Sequence, residues 1–127
     1  FNEFKKNNDI TFVEGAGGLL APASDNMLFA GLIKLLNIPV IIVTVPFLGR
    51  LNHTLLTVHY AKTNNIPIKG IIINRMPVKT DNQATVNFAD ELKMYTDIPI
   101  LGVINELTTN TEKDIKVEFE KIIKDIL

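Results

Sequence analysis

Residues 37–45 read NIPVIIVTV, and the same kind of entry returns as NIPIKGIII at 65–73 and DIPILGVI at 97–104. Each time a proline stands just ahead of a run of Val and Ile. A strand with one face in water alternates apolar and polar residues; a run that does not alternate is covered on both faces, as in a parallel sheet. Proline at the first position of a strand removes no ladder donor that the sheet needs. The pattern predicts strands at Val40–Val45, at Gly70–Ile73 with Ile68 ahead of it, and at Ile100–Ile104. A further aliphatic run, Ile10–Val13, predicts a strand nearer the start.

Helix-length segments fill the gaps. Asp25–Leu36 puts Leu28, Leu32, Leu35 and Leu36 on one face, with Asp25 as its N-cap. Asn52–Thr63 groups Leu55, Leu56 and His59, and Gln83–Tyr95 spaces Val86, Ala89, Asp90 and Lys93 helically. Thr111–Ile126 carries Ile115, Phe119, Ile122, Ile123 and Ile126 as a terminal amphipathic helix. The order β-α-β-α-β-α-β-α predicts an α/β fold with a doubly wound parallel sheet, residues 1–127 forming one domain portion. A sheet lacking neighbours leaves an aliphatic strand edge open.

Composition narrows the function. With 13 basic and 14 acidic residues the net charge is −1, so nothing draws the chain to nucleic acid or to an anionic membrane. With no cysteine it has no disulfide, thiolate metal site or Cys nucleophile, which agrees with a cytoplasmic setting. His53 and His59 are too few for a histidine metal site. The longest apolar run, near Ile38–Leu48, is broken by Pro39 and Pro46 and is too short to span a bilayer. No signal segment opens the chain. Because residue 1 is Phe and not Met, the expectation is a start inside a longer chain or a missing leader.

In doubly wound sheets ligands sit at the carboxyl ends of the strands. Those ends here are Glu14–Gly18, Pro46–Asn52, Asn74–Pro77 and Asn105–Leu107. The first reads VEGAGG at 13–18: a carboxylate, then glycine at three of four positions. Two readings stand for Glu14, a solvated turn residue and a Mg²⁺ ligand, since Mg²⁺ takes one or two carboxylates and completes its shell with water and phosphate. Glycines there let backbone N–H groups approach an anion. Asn52 reads as a helix N-cap and His53 as an ordinary first-turn residue, while the backbone from Gly49 to Leu51 suits a carboxylate or phosphate. Asn74 is either a turn residue or an amide able to donate and accept at a base edge, and Arg75 faces either solvent or phosphate.

Three stretches in order, VEGAGGLLAP at 13–22, PVIIVTVPFLGRLNHTLLT at 39–57 and IKGIIINR at 68–75, resemble the dethiobiotin synthetase family. The resemblance covers residues of roughly 10–107 and implies a P-loop NTPase-like fold of which this chain is the C-terminal part. It implies an ATP-dependent ligase of biotin synthesis that joins CO₂ to 7,8-diaminopelargonate. A carbamate attacks the γ-phosphate of ATP, and the second amine then closes a cyclic urea. Carried over by position, Glu14 is a Mg²⁺ ligand, and Gly15, Ala16 and Gly17 line the ATP phosphates. Asn74 and Arg75 meet the adenine. Asn105, Glu106 and Leu107 also approach the base, with Asn105 where the family usually has proline, and Glu112 approaches the ribose. Gly49, Arg50, Leu51 and Asn52 hold the diaminopelargonate carboxylate across a homodimer interface.

The family's G-x-x-x-x-G-K-[ST] loop, its substrate-contacting Lys and its second acidic metal ligand have no match here. Lys34, Lys62, Lys69 and Lys79 lack the preceding glycine pair. The expectation is therefore turnover by the full-length protein and none by these 127 residues alone. The alternatives are a non-catalytic module that binds a nucleotide or a partner, and a related amidoligase or partitioning-type ATPase domain.

Overall fold

A computed structural model describes residues 1–77, 82–107 and 111–126, and Lys79 lies outside them. The chain divides into two compact units, residues 1–38 and 39–127.

The first unit contains helix α1 (Asn2–Asn7), a short antiparallel hairpin of β1 (Pro22–Ser24) and β2 (Met27–Leu28), and helix α2 (Phe29–Leu36). Two expectations change here. Ile10–Val13 forms no strand, and its residues are exposed. A strand is held by ladder bonds to a neighbour, and the strands of this unit pair only with each other among the described residues. Asp25 does not cap a helix. It turns the β1–β2 hairpin with Asn26, and α2 starts four residues later with Leu28 at its N-cap. Asp-Asn is strong turn chemistry, which won over the helical spacing of the leucines.

The second unit is the α/β body. Strands β3 (Val40–Thr44), β4 (Ile68–Met76) and β5 (Ile100–Asn105) form a parallel sheet in the order β3-β4-β5. Between and after them run α3 (Arg50–Thr63), α4 (Gln83–Val86), α5 (Phe88–Tyr95), α6 (Glu112–Glu120) and α7 (Ile123–Ile126). The repeated prolines act as register points: Val40 N–H donates to Pro67 O and Ile71 N–H to Pro99 O, both at 2.9 Å. The Asn ahead of two of them has a separate job. Asn37 and Asn65 take left-handed φ of 51° and 55° at helix ends, a conformation Asn tolerates better than most residues. After α3 the Asn65 N–H reaches Lys62 O and the Ile66 N–H reaches Ala61 O, closing the helix end.

Alternation along β4 builds two cores. Ile71 and Ile73 pack with Val58, Phe88 and Leu92 from α3 and α5. Ile72 packs with Ile104, Ile122 and Ile126 on the other face. Helices thus cover both faces of a parallel sheet, the doubly wound arrangement that the aliphatic runs predict. The helix faces differ in detail. On α3 the buried residues are Thr54, Val58 and Ala61; Leu56 and His59 are exposed. The predicted 83–95 helix breaks at Asn87, and its second piece buries Phe88 and Leu92 while Asp90 and Lys93 stay exposed. The terminal helix breaks after Glu120; Ile122 and Ile126 are buried, whereas Ile115 and Phe119 are exposed. No helix of the described residues is long and apolar enough to cross a membrane.

Candidate functional site

In the second unit the carboxyl ends of all three parallel strands fall on one sheet edge. At the end of β3 the chain turns through buried Pro46, whose carbonyl accepts the Thr85 hydroxyl at 2.9 Å. Phe47 O accepts the Arg50 N–H at 3.0 Å, and α3 then begins. Its N-cap is Gly49, at φ 81°, and not Asn52, because a cap in this left-handed turn needs glycine. Asn52 sits exposed in the first turn beside exposed Arg50, with Leu51 half-buried. No side chain caps this helix start. Below it, the Thr54 hydroxyl donates to Arg50 O at 2.7 Å and lies 2.8 Å from the Thr44 hydroxyl. These two buried hydroxyls tie the start of α3 to the end of β3. The one polar residue in VIIVTV is the sequence signal for them, but their contact depends on packing between strand and helix.

At the end of β4, the half-buried Asn74 accepts the Arg75 N–H on Oδ1 at 2.9 Å. Arg75 itself takes a left-handed φ of 55°. Such a conformation in a non-glycine residue stores backbone strain and occurs often at binding sites. The Asn74 amide thus has part of its acceptor capacity engaged, while its NH₂ donors remain for other contacts. Met76 is the register partner of Asn105, and Glu106 N–H donates to Met76 O at 2.8 Å. The pairing brings the Asn74–Arg75 corner next to Asn105, Glu106 and Leu107. Asn105 N–H in turn donates to Glu118 Oε2 at 3.3 Å. Glu118 also pairs with Lys121, whose ammonium holds the carboxyl below its ordinary range against the opposing effect of burial. Glu112 is exposed in the first turn of α6, behind the Thr111 cap.

The predicted phosphate loop lies in the first unit. Glu14 is exposed. Ala21 N–H donates to Gly18 O, and Phe29 and Ala30 donate to Ala21 O and Leu19 O, all between 2.9 and 3.0 Å. The loop therefore folds over the start of α2 and occupies donors of its first turn. A Cβ at Gly17, where φ is 85°, would lie 2.9 Å from the Ala21 Cβ, and one at Gly15 would lie 3.3 Å from the Phe29 ring. Close packing is reason enough for these two glycines. Exposed Glu14 supplies a single carboxylate beside this loop, and Mg²⁺ takes one or two. Among the described residues no group of three His, Asp or Glu could hold a metal.

An open groove between the later turns of α3 and α5 is lined by residues including Leu55, His59, Lys62, Lys93, Tyr95 and Asp97. It holds none of the predicted site residues and lies toward the amino ends of β4 and β5. The carboxyl-end edge, with its open helix start, its left-handed Arg75 and its engaged Asn74 amide, is the better candidate.

This architecture is that of an α/β protein of the P-loop NTPase-like class. A family model described as an AAA domain matches residues 1–114, and the chain belongs to that family, the one that includes the dethiobiotin synthetases. Its relatives include proteins named ATP-dependent dethiobiotin synthetase BioD. The protein from Bacillus subtilis (strain 168) is 36% identical over 115 residues, covering 91% of this chain and 49% of that protein. Those from Methanocaldococcus jannaschii (31% identical, 98% of this chain, 56% of the relative) and Thermodesulfovibrio yellowstonii (40%, 85% and 48%) are similar to it as well. The chain spans about half the length of the curated relatives it matches.

Proposed function

We propose that this chain contributes the C-terminal part of an ATP- and Mg²⁺-dependent ligase that converts 7,8-diaminopelargonate and CO₂ to dethiobiotin, and that its two units belong to one α/β domain portion of that enzyme. The observation that carries the reading is the meeting, at one sheet edge, of the ends of the β3, β4 and β5 segments, in a chain whose relatives bear the synthetase name. The division of labour follows from the residues. The uncapped start of α3, from Gly49 to Asn52, presents first-turn N–H groups and the Arg50 charge to the diaminopelargonate carboxylate. Asn74 offers its amide donors to adenine, with Arg75 and the Asn105–Leu107 exit beside it. Gly15, Ala16 and Gly17 line the phosphates, and Glu14 would hold Mg²⁺, which when bound neutralises charge on the phosphates. The working form in this reading is a cytoplasmic homodimer, each site completed by the partner's copy of the α3 start.

The test is diamine-dependent ATP turnover by the complete protein. Asn52→Ala should raise KM for diaminopelargonate about tenfold or more with little change in KM for ATP, because it removes a substrate contact only. ATP turnover indifferent to the diamine would sink the ligase reading. A second reading is a nucleotide-binding module without turnover; ATP binding by the complete protein with no product under any condition would establish it.

A further inference from the structure

We propose that Glu118 is a positioning residue that holds the exit of β5 in the conformation that receives the nucleotide, a role that rests on the nucleotide reading of Asn105–Leu107 given above. Among the described residues Glu118 is the one buried ionisable residue, 8% exposed. Burying a carboxylate is costly unless it is paired and hydrogen-bonded. A helix such as α6, with Lys116 and Glu120 paired in solvent, has no need of a buried acid for its own sake. What the burial secures is specific: one carboxylate oxygen accepts the Asn105 N–H, and the other is held by Lys121.

The consequence is local and directional. Glu106 N–H is fixed to Met76 O, so the exit peptide is pinned from two sides, by β4 through Glu106 and by α6 through Asn105. The last ladder partner of β5 is Asn105, and the Glu106 N–H bond to Met76 O is the last tie that β4 gives the exit. Glu118 replaces the missing neighbour with a side-chain acceptor. Lys121 fixes the carboxylate in turn, so the geometry passes from the end of α6 to the exit strand and sets how Asn105, Glu106 and Leu107 are presented.

The experiment uses the complete protein and three variants, Glu118→Ala, Glu118→Gln and Lys121→Met. Amide hydrogen exchange at Asn105 and Glu106 is read without nucleotide, and KM for ATP and kcat are read separately. Glu118→Ala should lose protection at Asn105 and raise KM for ATP about tenfold, with kcat at saturating ATP changed less than about twofold, as expected when a partly buried hydrogen bond that fixes the exit loses its acceptor. Glu118→Gln keeps an oxygen for the Asn105 N–H and should restore most of both; Lys121→Met should fall between. Unchanged exchange at Asn105 in Glu118→Ala overturns the proposal. So does a loss of kcat at constant KM, or a Gln variant as impaired as the Ala variant. If ATP does not alter exchange at 105–107 in the unmodified protein, the nucleotide reading of this stretch fails and the role fails with it. If ATP does protect 105–107 but Glu118→Ala has an unchanged KM, only the role of Glu118 is removed.

Discussion

Two apolar runs of this chain, each read as a strand, have opposite fates. Ile68–Met76 becomes the central strand of a parallel sheet, with Ile71 and Ile73 fully buried. Ile10–Val13 forms no strand, and Phe12 is 68% exposed. Hydrophobicity is not the difference. β4 has a ladder partner on each side and a helix layer on each face, so its backbone groups are paired and its side chains covered. An apolar run states a demand for burial; a strand forms only where neighbours meet the backbone demand too.

The comparison breaks first at Phe88. This ring is 2% exposed and sits against Ile71 and Ile73 on one face of β4. Phe88→Ala should cost about 3–5 kcal/mol, since it removes a buried aromatic and leaves a cavity under the central strand. Urea denaturation followed by circular dichroism reads this directly. A loss below about 1 kcal/mol would mean that the first core does not carry the sheet.

The opposite face gives the next effect. A Cβ added at Gly102 would lie 1.9 Å from Cγ2 of Ile122, so the turn between α6 and α7 packs this closely on β5 because residue 102 has no side chain. Gly102→Ala should destabilise by about 1–3 kcal/mol through overpacking. In an Ile122→Ala background, which removes the crowding Cγ2, Gly102→Ala should cost less than it does alone. Simple additivity of the two would show that the contact does not couple them. In the other run, Phe12→Ser should change stability by no more than about 0.5 kcal/mol, because the ring is exposed. A loss near that of Phe88→Ala would mean that Ile10–Val13 is covered in solution and that the contrast does not hold.

Much of the second unit was legible in the sequence because its signals are local. Three proline-led aliphatic entries placed β3, β4 and β5 to within a residue or three of their observed ends, and the strand ends named the right sheet edge for Gly49–Asn52, Asn74–Arg75 and Asn105–Leu107. The misses have a common physical origin. Asp25 looks like a helix cap until Asn26 is weighed with it as a turn pair. Asn52 looks like a cap until Gly49 takes the left-handed turn ahead of it. In both, a special backbone conformation outranked side-chain capping. The helix faces were misjudged where small or polar residues do the packing: Thr54 and Ala61 are buried on α3 while Leu56 is not. The left-handed backbone of Arg75 and the burial of Glu118 carried no sequence signal. The buried glutamate results from the packing of α6 against the exit of β5, a contact between separate elements.

The smallest expected effect concerns the two ends of β5, where charge and not apolar area does the tying. At the entry Asp97 pairs with Lys62 from the last turn of α3, and at the exit Glu118 pairs with Lys121 while accepting the Asn105 N–H. The lysine beside each carboxyl holds it below its ordinary range. For groups so shifted, the stabilising contribution is complete at pH values above the ordinary carboxylate range. It is lost as pH falls from there through the lower value of the folded protein, because the unfolded chain takes up the proton first. Denaturation midpoints measured from neutral to acid pH should therefore decline less steeply in Glu118→Gln and Asp97→Asn than in the unmodified protein. The exposed Asp97 pair should also fade with added salt, and the Glu118 pair, whose carboxylate is the less exposed of the two, should fade less. An acid limb for Glu118→Gln that runs parallel to that of the unmodified protein would show that the Lys121 ion pair adds no acid-sensitive stability at the exit of β5. The contrast between a strand fixed by its neighbours and a run left without them would then need no charge to complete it.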